Sequence, residues 1–486
     1  MRFGRRAPTT SPHAAWAQLL DVAGREPDEL AEARARVRFA GSDPVLPSRF
    51  LLGTAGAAAL AALGTAVDDL WRMRGGAALD IGVDLSHAGA ALRSSSYLRI
   101  DGAPPPSPWD PIAGFYPTGD GRFIQLHTNF PHHRDGTCAV LGVPAERAAV
   151  AAAIANRTAL ALEDELAAAG LCATVARTPA EWASHAQARA VAALPLLEIE
   201  RVGDADPEPL ARRPPRPLSG VRVLDLTRVL AGPTAGRSLA EHGAEVLALC
   251  SPALPNLPAL MLDTNHGKYS AHLDLADAGQ HAHLRALVGG CDVFLQAYRP
   301  GALAARGFGV ADLARLRPGI VCVDLSAWGH AGPWAQRRGY DTLVQSACGI
   351  AVEQAAVEQA AVETGATGVG AQAPKHLPCS ALDYITGYLA AFGALVALGR
   401  RSLEGGSWHV RVSLAQTARW LDALGRVEAR TPVAGLEPDV GAAMLEGDSP
   451  AGRLRFLAPA LRLGGAPAGW DFAAVPAGTH AAAWRS

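Results

Sequence analysis

PLSGVRVLDLTRVLAGPTAGRSLAEHGAEVLAL, residues 217–249, decides the fold class. VRVLDL at 221–226 reads as a strand, 234–242 has helical spacing, and AEVLAL at 244–249 reads as the next strand. Downstream, 277–288 reads as a helix, and DVFLQ at 292–296 and GIVCVDLS at 319–326 as strands. Strands that alternate with helices imply right-handed crossovers and a parallel sheet covered on both faces. The expected class is therefore α/β, with a Rossmann-like parallel-sheet domain and a smaller α+β domain. No GxGxxG follows the first strand, so neither NAD nor FAD is expected.

The rest of the chain divides around this half. At about 150 residues per domain, 486 residues predict about three domains. Two proline-rich stretches mark boundaries: APPPSPWDP at 103–111 and EPLARRPPRPL at 208–218. They predict a helical segment over 1–106, a small α+β domain over 107–205, the α/β domain over 217–430, and a tail over 431–486. GFYPTGDGRFIQLHT, at 114–128, has the apolar–turn–apolar form of a hairpin. Residues 351–365 repeat as AVEQA-AVEQA-AVETG, a period that fits neither helix nor strand, and are expected to be a surface insertion without chemistry.

Composition narrows the function. A hydrophobic content of 49% with 19% charged residues excludes a disordered chain. The net charge is −2, so no global basic field exists to hold nucleic acid, and 6% aromatics argues against base-stacking platforms. Seven dispersed cysteines with no CxxC pair predict reduced thiols and a cytoplasmic protein. The basic first residues lack an apolar run behind them, so no signal peptide is expected. The longest uncharged run, 50–67, is short and alanine-rich, which predicts a buried helix and no membrane association.

One internal repeat stands out. LPSRFLLGTAGAAALAALGTAVDDLWRMRGG from Leu46 matches LPCSALDYITGYLAAFGALVALGRRSLEGG from Leu377. Both run from Leu-Pro through a glycine-containing helix to Gly-Gly, and each is followed by a short β-like stretch. Only the second copy carries a carboxylate in mid-motif: Asp383, where the first has Leu52.

The 217–249 segment, LDTNHGKYSAHLDL, DVFLQAYRPGALAARGFG, LRPGIVCVDLSAWGHAGPWAQRRGYD and CSALDYITGYLAAFGALVAL occur in that order. Together they resemble the class III CoA-transferase family, which includes formyl-CoA transferase, carnitine CoA-transferase and α-methylacyl-CoA racemase. The segment from Gly114 to Asp204 resembles the family's small domain but precedes the α/β half, so the domain order looks permuted. The resemblance implies coenzyme A as substrate and product, an acyl-CoA donor, a carboxylic acid acceptor and a homodimer.

It also implies roles. Asp383 falls where the family's nucleophilic aspartate stands. With an ordinary pKa near about 3.9 it is ionised at pH 7 and attacks a thioester without a base. The competing reading is a helix cap, which stabilises by about 1 kcal/mol and does no chemistry. Tyr340 falls where the racemase branch has a histidine. A phenol is a poor base, so transfer is favoured over racemisation and Tyr340 is assigned to the thioester oxygen. Asp341 is expected to cap a helix or pair an ion. CoA-binding candidates are Val229, Leu230 and Ala231 after the first strand, with Lys268, Tyr298, Arg299, Arg306 and Arg338 for the phosphates. Cys250 and Ser251 replace a charged residue usual in relatives, so Arg228 or Arg306 is expected to compensate. His132 and His133 read as a loop pair, and no metal is expected. The alternatives are an acyl-CoA racemase or epimerase, and a CoA-binding protein without turnover.

Overall fold

An alanine-rich helix can be buried on all sides because its small side chains let neighbours approach closely. The computed structural model describes residues 9–362, 373–428, 431 and 433–485. Its first unit is built on such a helix. Strand β1 (Val37–Ala40) leads through a turn to α1 (Leu52–Met73), then to β2 (Asp80–Asp84) and α2 (Leu85–Ala91). β1 and β2 pair in parallel, with α1 as their crossover. α1 is buried from Leu52 to Asp68, as the uncharged run predicts. Three antiparallel strands follow: β3 (Gly114–Pro117), β4 (Phe123–Leu126) and β5 (Ala173–Val175). β3 and β4 are the expected hairpin.

The larger unit carries the main sheet. Its elements are β6 (Leu197–Gly203), β7 (Arg222–Leu226), α3 (Ala231–Glu241), β8 (Glu245–Cys250), β9 (Lys268–His272), β10 (Val293–Gln296), β11 (Val321–Ser326), α4 (Asp341–Ala347), α5 (Ala381–Glu404), β12 (Ser407–Ser413) and α6 (Leu414–Ala423). The strand order is β9-β8-β7-β10-β11-β12-β6, parallel throughout except for β6. Counted from β7, that is the doubly wound order, whose winding reverses between β7 and β10. Ligands of such sheets sit outside the carboxyl ends of the strands at that switch point.

Two expected boundaries move. The cut at 205 falls just after β6, which is the antiparallel edge of the main sheet and ties the small domain into it. Residues 431–486 are no tail. β13 (Leu461–Gly464) pairs antiparallel with β2, and the strands Met444–Ser449 and Gly452–Leu457 form a hairpin that adds to Arg99–Ile100. RLRFLAPALRL holds the signal: Leu454, Phe456, Leu461 and Leu463 alternate inward with exposed arginines. The AVEQA repeat lies mostly in the helix Ile350–Val362, and residues 363–365 fall outside the described residues.

The internal repeat is structural and longer than its sequence match. Each copy is a strand, a Gly-X-Asp turn, a Leu-Pro entry, a long helix, Gly-Gly, a parallel-paired strand and a capped helix. The turns are Gly41-Ser42-Asp43 and Gly339-Tyr340-Asp341. The last helices are capped by the Asp84 and Ser413 side chains. The two long helices, α1 and α5, pack against each other in the core. α5 is apolar enough to cross a membrane by length and composition, but 89% of its most apolar window is buried inside the fold.

One glycine of the repeat sets how closely α5 sits on the site. A Cβ on Gly387 would stand 2.4 Å from the Ala231 carbonyl oxygen and 2.8 Å from Thr234 Cβ, at the start of α3. The equivalent Gly56 meets its nearest atom, the Ala88 oxygen, at 3.3 Å. Gly387→Ala is therefore expected to cost about 1–3 kcal/mol in urea unfolding. Gly56→Ala is expected to cost less, because a shift of a few tenths of an ångström relieves it.

Candidate functional site

The turn after β7 is pinned by backbone sterics. Val229 has φ +69°, a left-handed conformation that a β-branched residue adopts only under constraint. Three residues on, a Cβ at Gly232 would lie 2.3 Å from Thr227 Cβ, so only glycine closes the turn. Leu230 then occupies the N-cap position of α3 without a side-chain cap. Beneath the turn, Lys268 is fully buried, and its Nζ donates to Asp225 Oδ2 at 2.8 Å and to the Pro233 oxygen at 2.6 Å. Gly236 makes room for that pair, since a Cβ there would stand 2.4 Å from Asp225 Oδ2. Lys268 is thus a buried strut and not a phosphate ligand: its charge is matched by Asp225 and has no access to solvent.

Above the turn lies the switch-point crevice, a cavity of about 360 Å³. The loops after β7, β10 and β11 line it, together with the RRGY segment. Val229, Leu230, Ala231, Tyr298, Arg299, Arg338, Tyr340 and Asp383 all reach it. Arg228 and Arg337, not both expected, line it too. Among the described residues, no carboxylate pairs with Arg228, Arg299 or Arg338. Arg228 lies over the Phe130 ring and donates to the Pro255 oxygen, and Arg338 donates to His133 Nε2 at 2.7 Å. Unmatched cations in one crevice form an anion site. Arg306 is elsewhere: it is exposed and donates to the Leu275 oxygen. His132 and His133 open the helix Pro131–Leu141 and are not a loop pair. No metal-holding cluster is found among the described residues.

A second cavity, of about 400 Å³, opens on the other side of Asp383. Val229, Leu230, Tyr340 and Asp383 line both cavities and form the neck between them. Its far walls are the proline-rich segment with Trp109, the strip from Leu257 to Leu260, and the entry to α5.

Asp383 is held at this neck through its neighbours. It is in the first turn of α5, and its own N–H donates to Asp341 Oδ2 at 3.0 Å. Asp341 also accepts from Gln345 Nε2 and from the Leu382 N–H. Asp341 is thus the cap of α5, supplied from α4. Asp43 does the same for α1, accepting from the Gly53 and Thr54 N–H groups at 2.8 Å each. Tyr384, next in the helix, donates to Asp263 Oδ2 at 3.0 Å, and Asp263 pairs with buried Arg237 at 3.1 Å. Among the described residues, the Asp383 carboxylate itself has no hydrogen-bond partner. It is half-buried at the neck.

Burial shapes the titration. Desolvation, and then the charge of Asp341, hold the Asp383 carboxyl well above its ordinary pKa. Asp341 is pushed up to about 6 by burial, opposed by its backbone and amide hydrogen bonds. Tyr340 is raised by burial and stays protonated at neutral pH. Its ring stacks on His127 at 3.9 Å, and among the described residues its hydroxyl has no protein partner. Burial lowers His127 to about 3 and His376 to about 4, so both are neutral imidazoles at pH 7. Sequence reasoning missed Trp109, His127 and His376. The first sits in a stretch whose prolines read as a linker, and nothing local marks the histidines.

Comparison with known proteins bears on this crevice. Residues 218–434 match the model of CoA-transferase family III. The acetyl-coenzyme A transferase nodX of Hypoxylon pulicicidum is 29% identical over 449 residues, covering 81% of this chain and 73% of that protein. The human succinyl-CoA:glutarate CoA-transferase is 34% identical over 147 residues, 28% of this chain and 34% of that one. The crystal structure of Rv3272 from Mycobacterium tuberculosis aligns at 30% identity over 43% of this chain and 56% of that one, with a TM-score of 0.36. The matched region contains the strained turn, the crevice and Asp383, so the likeness to CoA-transferase family III falls on the part of the chain that builds the site.

Proposed function

We propose that the protein moves coenzyme A from an acyl-CoA thioester to a carboxylic acid, with Asp383 as nucleophile. One observation carries the proposal: a carboxylate that has no partner among the described residues stands at the neck between a cation-lined crevice and a second, less charged cavity. CoA, with its diphosphate and 3′-phosphate, suits the arginine side, and the acyl group then reaches past Asp383 into the other. The ionised carboxylate attacks the thioester carbonyl, the C–S bond breaks, and CoA thiolate leaves a mixed anhydride. The thiolate attacks the Asp383 carbonyl, which releases the donor acid and forms an aspartyl-CoA thioester. The acceptor carboxylate repeats the sequence in reverse, and Asp383 is restored. Tyr340, as a protonated phenol, supplies a hydrogen bond to the developing oxyanion.

Racemisation needs a second group that accepts a proton from carbon. A raised phenol and imidazoles held near 3 and 4 are poor bases at neutral pH, which favours transfer. The test is an exchange assay with paired acyl-CoAs and acids. New acyl-CoA is expected only when an acceptor acid is present. Deuterium uptake at the α-carbon without any acceptor would instead establish the racemase.

The Asp341 neighbour gives a pH prediction. Asp383 attacks only when ionised, so the rate falls as pH drops through its raised pKa. Asp341→Asn keeps an oxygen for the Asp383 N–H but removes the like charge, which lowers the Asp383 pKa. The acid limb of the pH–rate profile is expected to move to lower pH. A limb that stays in place or moves upward contradicts the coupling.

A further inference from the structure

The cavity beyond Asp383 differs in chemistry from the one that suits CoA. Its walls are Pro105, Pro106, Pro108, Trp109, Leu257 and Leu260, with serine and histidine between them. Trp109 is 50% exposed and is the one aromatic among the exposed large apolar side chains of the described residues. An apolar ring braced by prolines and left half-bare at a cavity wall is a surface that a ligand would cover. Among the described residues Arg93 is the cation that lines it, and its Nη1 is already matched by Glu437 Oε2 at 3.0 Å. His127 and His376 are neutral there. A second carboxylate in this space would lose its hydration beside Asp341 and Asp383, and among the described residues it would meet only a guanidinium already paired with Glu437.

Size points the same way. A cavity of about 400 Å³ equals the liquid volume of about 13 waters at ~30 Å³ each. A two-carbon acyl group leaves most of it wet, whereas an eight-carbon chain occupies several times as much of it and reaches its apolar walls. Each methylene moved from water onto these walls tightens binding about fourfold.

We propose that this cavity selects a medium-chain, predominantly apolar acyl group and rejects dicarboxylyl groups, with Trp109 as the wall that reads chain length. The proposal rests on the transfer reading above, so binding is measured without turnover. In the full-length Asp383→Asn variant no aspartyl anhydride forms, and titration calorimetry with acetyl-, octanoyl- and succinyl-CoA reads the cavity alone. Octanoyl-CoA is expected to bind at least about tenfold tighter than either of the others. Adding Trp109→Ala is expected to remove most of that gain, and Trp109→Phe to restore much of it; Trp109 is exposed enough that thermal unfolding serves as the folding control. Equal affinities, a preference for succinyl-CoA, or a chain-length gain that survives Trp109→Ala overturns the proposal. Failure of the transfer reading shows separately, as wild-type protein that binds octanoyl-CoA but exchanges it with no acid.

Discussion

Asp383→Asn is expected to lower the rate of CoA transfer by at least about 10⁴-fold, the scale on which removing a covalent nucleophile acts. The same substitution is expected to leave stability at pH 7 unchanged or slightly raised, as read by urea unfolding. Among the described residues no donor bonds the Asp383 carboxylate, and a half-buried charge beside Asp341 is removed. This pairing of effects separates catalysis from the helix-cap alternative. A cap replaced by alanine costs about 1 kcal/mol, but the α5 cap is the Asp341 side chain, and Asp383 contributes only its backbone N–H. Asp383→Ala should therefore lose activity without that stability loss. A variant that is destabilised yet active would return Asp383 to a structural role.

Lys268→Met is expected to cost about 3–5 kcal/mol of folding stability, because it leaves the Asp225 carboxylate buried without its cation. The melting temperature should fall by roughly 5 °C. Replacing both members, Lys268→Met with Asp225→Leu, should recover a large part of the loss, since removing a whole buried pair is far milder than orphaning one half. In the single variant, at a temperature where it remains folded, KM for acyl-CoA should stay within about twofold of wild type. Lys268 lies under the turn at 0% exposure and reaches no phosphate. A large rise in KM with little change in stability would put Lys268 back in the CoA site.

These two residues mark what the sequence could and could not reveal. The doubly wound sheet was legible because β7, β8, β10 and β11 are short apolar runs separated by helical spacing. Asp383 stood out in the sequence because the resemblance puts the family's nucleophile there and because the copy of its motif has Leu52 at that position; that it lines both cavities was not legible. Lys268 was misread because burial depends on what packs over a residue. Only the fold shows that Asp225 stands beside it and Gly236 clears the space. The second cavity was invisible for the same reason. Its walls come from 93–109, 257–260 and 376–383, and proline-rich sequence resembles a linker whether or not it is braced against a site. Arg306 failed through geometry: it follows the right loop but hydrogen-bonds away from the crevice.

The central claim is that the oxygen pair of Asp383 becomes acylated in the course of turnover. Wild-type protein incubated with an acyl-CoA that it exchanges, quenched with hydroxylamine and digested, should carry a hydroxamate on the peptide that opens α5, at residue 383, in amounts that follow donor occupancy. A hydroxamate at another residue, or none while exchange proceeds, would contradict the account.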